Sequence, residues 1–147
     1  ASFARMLGRA ILLILLLGAG VSLSEAKQKQ TLLLNVLVKD EAKILDKTLP
    51  KWAPYVDFWI VGIDRNNTDN SEEVVRRHLG HLPGEIMVVD FDGMGPTLTQ
   101  LVRRGLEKFP QATHGILSDA DFSPVTHLDK SKLCMDCSKI KFKVRDP

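Results

Sequence analysis

The chain has 147 residues, room for one domain of ordinary size and hardly for two. Hydrophobic residues make up 44% of it and charged residues 26%, a balance that permits a packed core and argues against wholesale disorder. The formal net charge is only +2, and the basic residues are spread out apart from a lysine-rich end (Lys130, Lys132, Lys139, Lys141, Lys143), so nothing demands nucleic acid as a partner.

In chain order, the first segment reads as a targeting signal. Arg5 and Arg9 precede an uncharged, mostly apolar run from Ala10 to Leu23, and small residues follow before Lys27. Positive, then apolar, then small is the order of a secretory signal peptide. The run falls short of the ~20 residues that comfortably span a bilayer, but a short uncleaved signal anchor with the arginines on the cytoplasmic side fits it too. A buried core helix fits worse, because the segment has no polar face and stands at the very start. Residues 1–26 are therefore expected to be a signal peptide or anchor. That would place the rest in the ER or Golgi lumen, tethered to the membrane or free, or outside the cell. Residues 27–147 form the expected domain. Its end, Arg145-Asp146-Pro147, follows closely on an expected strand and suggests truncation.

After a polar linker (Ser24 to Gln30), apolar runs alternate with amphipathic stretches. Thr31 to Val38 (TLLLNVLV) is nearly all apolar, as a strand covered on both faces would be. Ile44, Leu45, Thr48, Leu49 and Trp52 then fall on one side of a helix that must end before Pro54. Phe58 to Ile63 is a second buried strand. Ser71 starts a helix with Glu72 and Glu73 in its first turn, where the helix dipole favours them, and with Val74, Val75 and Leu79 inside. Glu85 to Val89 is a third strand. Pro96 opens a third helix, whose Leu98, Leu101, Val102, Leu106 and Phe109 recur at helical spacing. His114 to Ser118 is a fourth strand. The alternation predicts an α/β fold, a mostly parallel, Rossmann-like sheet with helices on both faces and right-handed crossovers.

Such sheets bind ligands at the carboxyl ends of their strands, and acidic groups gather there. The first strand is followed by Lys39-Asp40-Glu41 and the second by Asp64-Arg65-Asn66-Asn67-Thr68-Asp69. The third leads into Asp90-Phe91-Asp92-Gly93 and the fourth into Asp119-Ala120-Asp121. With 12 aspartates in the chain, about one Asp-x-Asp is expected by chance, so position rather than spacing carries the argument. Adjacent carboxylates repel unless a cation or a donor offsets them. At a strand end they can hold Mg²⁺ or Mn²⁺, with water and substrate phosphates completing the shell. The plain alternative for Asp119 and Asp121 is a polar turn before Pro124. Asp90 and Asp92 lie in ordinary turn sequence and are left outside the site. His78 and His81 straddle an expected helix end and read as solvated histidines. Cys134 and Cys137 form a lone C-x-x-C, too few ligands for a closed zinc site, and fit a local disulfide or pairing elsewhere.

Three stretches in this order resemble the N-terminal half of family 2 glycosyltransferases, inverting enzymes of the GT-A fold: VKDEAKILDKTL (Val38 to Leu49), IVGIDRNNTDNS (Ile60 to Ser71) and GILSDAD (Gly115 to Asp121). The resemblance covers roughly Thr31 to Val125. It implies a nucleotide-sugar-binding domain, most often for a UDP-sugar, with Mn²⁺ or Mg²⁺ as cofactor. Asp64 would contact the base, Glu41 would lie close to the nucleotide pocket, and Asp119 would face the ribose and the sugar-proximal phosphate. Asp121 would bind the metal, with Asp119 beside it. Asp69 would brace the loop and the helix start. The acceptor, a glycan, protein or lipid, is not specified.

The chain departs from that pattern in three ways. Asp40 stands where the family usually has asparagine, and Asn66 and Asn67 replace a glycine and a serine, asparagine being tolerant of left-handed backbone. No residue matches the family's catalytic base, which lies well downstream of the Asp-x-Asp, so the chain is expected to hold a donor half-site. Asn66-Asn67-Thr68 is also a glycosylation sequon, and a glycan on Asn66 would crowd the nucleotide pocket. Two other functions remain open: a non-catalytic secreted α/β module with an acidic cation-binding rim, and a nucleotidyltransferase using a related sheet and metal.

Overall fold

Leu32–Val38 forms strand β1, and its composition follows from its place: both sides of it are covered, so both sides are apolar. The computed structural model describes residues 29–133. Strands β2 (Phe58–Asp64), β3 (Gly84–Val89) and β4 (His114–Asp119) complete a four-stranded, all-parallel sheet in the order β3-β2-β1-β4. Helices α1 (Ala42–Trp52), α2 (Ser71–Leu79) and α3 (Met94–Lys108) make the crossovers. The expected α/β architecture and the four strands expected between Thr31 and Ser118 are present, and the strand expected just before Arg145 lies outside the described residues. Residues 1–26, Cys134, Cys137 and the lysines from Lys139 onward lie outside the described residues. Among the described residues no helix is long and apolar enough to cross a membrane.

The period of two along β1 separates two cores. Leu32, Leu34, Val36 and Val38 face α1 and α2, where Leu45, Leu49, Val75 and Leu79 meet them. Leu33 faces the other way, into a smaller core with Ile60, Val89, Leu101 and Phe109 beneath α3. Helices therefore cover both faces, unequally. The α3 helix lies over β1 and β2 and leaves the same face of β4 open, so that Leu117 is 53% exposed.

Two details differ from the pattern read in the sequence. The third helix begins at Met94, two residues before Pro96, which sits in the first turn where its missing N–H costs nothing. Its buried stripe is Thr97, Leu101 and Gly105, whereas Leu106 is 56% exposed. Gly105 explains the shift. A Cβ there would come within 2.6 Å of Leu33 Cδ2, so the absent side chain lets α3 press onto β1 and turns Leu106 outward. Ile44 is likewise half-exposed on α1, whose buried face is Ala42, Leu45, Thr48, Leu49 and Trp52.

Candidate functional site at the strand ends

The loops that leave β1 and β2 are interlocked. Asp40 adopts φ 54°, a left-handed conformation uncommon outside glycine, asparagine and aspartate. Its N–H donates to Asn67 Oδ1 at 2.8 Å. Its Oδ1 accepts from the Thr68 N–H at 2.6 Å and the Thr68 hydroxyl at 2.9 Å. Asp69 braces two helix starts at once, as expected: Oδ2 accepts from the Ala42 N–H of α1 at 2.8 Å and Oδ1 from the Ser71 N–H of α2 at 2.9 Å. The Asx geometry is needed because neither Glu41 nor Asn70, the cap residues, makes a side-chain cap bond. Asp64, buried at the end of β2, accepts the Asn66 N–H at 2.8 Å on Oδ1 and has Lys39 Nζ 4.0 Å from the same oxygen.

The Asp119-Ala120-Asp121 segment is a turn, closed by the Phe122 N–H donating to the Asp119 carbonyl at 3.2 Å. It is also pinned from α1. The Thr48 hydroxyl donates to the Ala120 carbonyl at 2.7 Å, and Trp52 Nε1–H donates to the Phe122 carbonyl at 2.9 Å. Ala120 is buried in the α1-side core, so Asp119 and Asp121 on either side of it point out and are exposed. Neither carboxylate accepts a hydrogen bond or pairs with a cation among the described residues. By contrast Asp90 takes a bidentate pair from Arg65 (2.6 and 3.1 Å), and Glu85 takes Arg104.

Electrostatics tie Glu41 to this turn. Burial raises its carboxyl above the usual range, and the charges of Asp121, Asp119 and Asp69 push the same way against one hydrogen bond from the Lys39 backbone. Glu41, Asp119 and Asp121 thus share one negative field at the ends of β1 and β4. Asp64 sits one strand over, on the Lys39 side. Among the described residues no three His, Cys, Asp or Glu side chains are placed to hold a metal together. The hard oxygen donors of Asp119 and Asp121 suit Mg²⁺ or Mn²⁺, ions that commonly take one or two carboxylates and leave the remaining positions to water and phosphate.

Several contributors escaped the sequence reading. Thr48 and Trp52 look like core positions of an amphipathic helix, yet their polar atoms set the turn. The clasp from Asp40 to Thr68 joins residues 28 apart; an aspartate just past a strand was its only local signal. His78 is not simply solvated: its ring lies 2.7 Å from Asp46 Oδ1, between α1 and α2. Past Asp119, a cleft of about 740 Å³ opens on the β4 side, walled by Met94 and Leu98 of α3, Leu117 of β4, and the segment from Phe122 to Leu128.

No protein-family model matches the chain. No curated protein matches it either.

Proposed function

We propose that the chain is the donor-binding half of a metal-assisted, inverting glycosyltransferase of the GT-A type, acting on a nucleoside diphosphate sugar, with UDP the expected nucleotide. One observation supports this: a turn pinned by Thr48 and Trp52 presents two carboxylates, Asp119 and Asp121, that are unpaired among the described residues, at the carboxyl edge of a parallel sheet where such folds bind ligands. Two exposed carboxylates kept apart from the lysines and arginines that neutralise Asp90 and Glu85 suit a divalent cation. A bound Mn²⁺ or Mg²⁺ would neutralise the departing diphosphate. Lys39, 4.0 Å from Asp64, adds a cation on the donor side, and Asp64 and Glu41 would border the base and ribose. The base that deprotonates the acceptor is assigned to no residue of this chain. The lumenal, membrane-tethered or secreted setting rests on residues 1–26 and is part of the proposal.

The test is calorimetric titration of UDP into the 147-residue chain with and without Mn²⁺, beside Asp121→Asn. Metal-dependent heat that Asp121→Asn abolishes is the expected result. Mn²⁺ binding indifferent to UDP would instead identify the acidic-rim binding module, and preference for UTP over UDP-sugars a nucleotidyltransferase. Full glycosylation of Asn66 in the natural protein would also sink the donor reading, because Asn66 adjoins Asp64 through a 2.8 Å hydrogen bond.

A further inference from the structure

The cleft beside Asp119 has a composition that the donor reading does not use. Its rim leaves large apolar side chains in solvent: Met94 is 50% exposed, Leu117 53%, Phe122 43% and Val125 58%. Apolar surface gathered in a concave site with a few polar groups marks a ligand pocket more often than chance exposure does. Its polar groups are few: Asp119, Ser118, Ser123, Thr126 and His127, whose ring sits edge-on to Tyr55 at 5.7 Å. Among the described residues no lysine or arginine lines it. A diphosphate there would face the Asp119 carboxylate with no lysine or arginine of the described residues to offset it, whereas Lys39 stands beside Asp64 at the β2 end, so side-chain charge favours the nucleotide on the Lys39 side. The turn between the two sides is pinned by Thr48 and Trp52, so the cleft wall is preformed.

We infer that this cleft is an acceptor subsite, taking an uncharged, hydroxyl-bearing molecule with an apolar body. The inference rests on the donor reading: a hydroxyl at the Asp119 end would meet the sugar donor, while the body lies against Leu98, Leu117, Phe122 and Val125. No covalent step is assigned to the cleft, which binds and orients.

The probe is n-octyl β-D-glucoside below its micelle-forming concentration, titrated into the full 147-residue chain and followed by methyl-resolved NMR, with D-glucose and octyl sulfate as separate arms. The expected result is saturable shifts confined to Met94, Leu98, Leu117 and Val125, none with glucose, and weaker binding of the anionic sulfate. Leu117→Gln and, independently, Val125→Ser should each weaken binding about tenfold, the effect of one lost apolar contact. Leu106→Gln, exposed and outside the cleft, should leave it unchanged. Shifts scattered over Ile44, Val88 and Leu106, or equal binding by the cleft variants, would overturn the subsite, as would finding the cleft filled in the ligand-free chain by residues beyond Leu133. A UDP arm separates the two readings. UDP binding without amphiphile binding removes the acceptor subsite and keeps the donor site. Amphiphile binding without UDP binding keeps the subsite and removes the donor reading.

Discussion

The two sides of the β1 end are built from different forces. Toward β2, the loops are stitched by short polar contacts: Asp40 to Thr68, Asn67 to Asp40, Asp69 to Ala42 and Ser71. Toward β4, polar contacts are few and apolar surface stays open, because α3 lies over β1 and β2 and leaves β4 uncovered. The difference teaches that the two sides are fixed by different means, loop-to-loop hydrogen bonds toward β2 and two pins from α1 toward β4. The side proposed for a charged nucleotide is held by hydrogen bonds between its own loops, and the apolar side stays open to solvent.

Five changes would break or sharpen that contrast. The largest effect belongs to the closed face: Leu45, fully buried between α1 and β1, should cost about 2–5 kcal/mol when changed to Ala, read by urea melting. Thr48→Val keeps the shape but strands the buried Ala120 carbonyl. A loss of about 1–3 kcal/mol is expected, together with weaker Mn²⁺-dependent UDP binding. A full-strength UDP titration in that variant would show that the pin does not set the turn.

Asp69→Ala uncaps two helices and should cost about 1–2 kcal/mol at neutral pH, with faster amide exchange at Ala42 and Ser71. Its pH dependence has a defined sign. Burial works to raise the Asp69 carboxyl, but the Ser71 hydroxyl and the Ala42 and Ser71 N–H groups outweigh it and hold the pKa below the ordinary value. The stability it adds is present above the ordinary carboxylate pKa and lost as pH falls through the lower folded value, so Asp69→Ala should flatten the acid limb of the stability curve. Glu41 has the opposite sign. Its raised carboxyl makes the fold less stable as pH climbs from the ordinary glutamate value through the folded one. Glu41→Gln should therefore stabilise the chain slightly at pH 7 while weakening nucleotide binding, and unchanged melting across that window would refute the shared field. Smallest of all, Leu106→Ala on the open flank should change stability by no more than about 0.5 kcal/mol.

Much of this architecture is legible in the sequence because parallel strands covered on both sides print as unbroken apolar runs. Thr31 to Val38 and Phe58 to Ile63 could be nothing else of that length between turn signals. Along α3 the spacing marks Leu101 and Phe109, which are buried, but not Thr97 and Gly105: close approach selects a missing side chain, and hydropathy cannot register that. The acidic strand ends were legible as positions. Which of them are free was not, since Arg65 reaches Asp90 across 25 residues and Glu41 feels Asp121 only after β1 and β4 have paired.

Asp69 has a consequence for how the chain is made. Ala42 must wait for an acceptor 27 residues downstream, whereas Ser71 emerges with the same carboxylate already in place two residues before it. During synthesis the first turn of α1 leaves the ribosome uncapped, and it stays frayed until β2 and its loop have followed. One carboxylate thereby ties the starts of both helices together, so a nascent chain arrested before residue 69 would carry α1 without the acceptor for its Ala42 N–H.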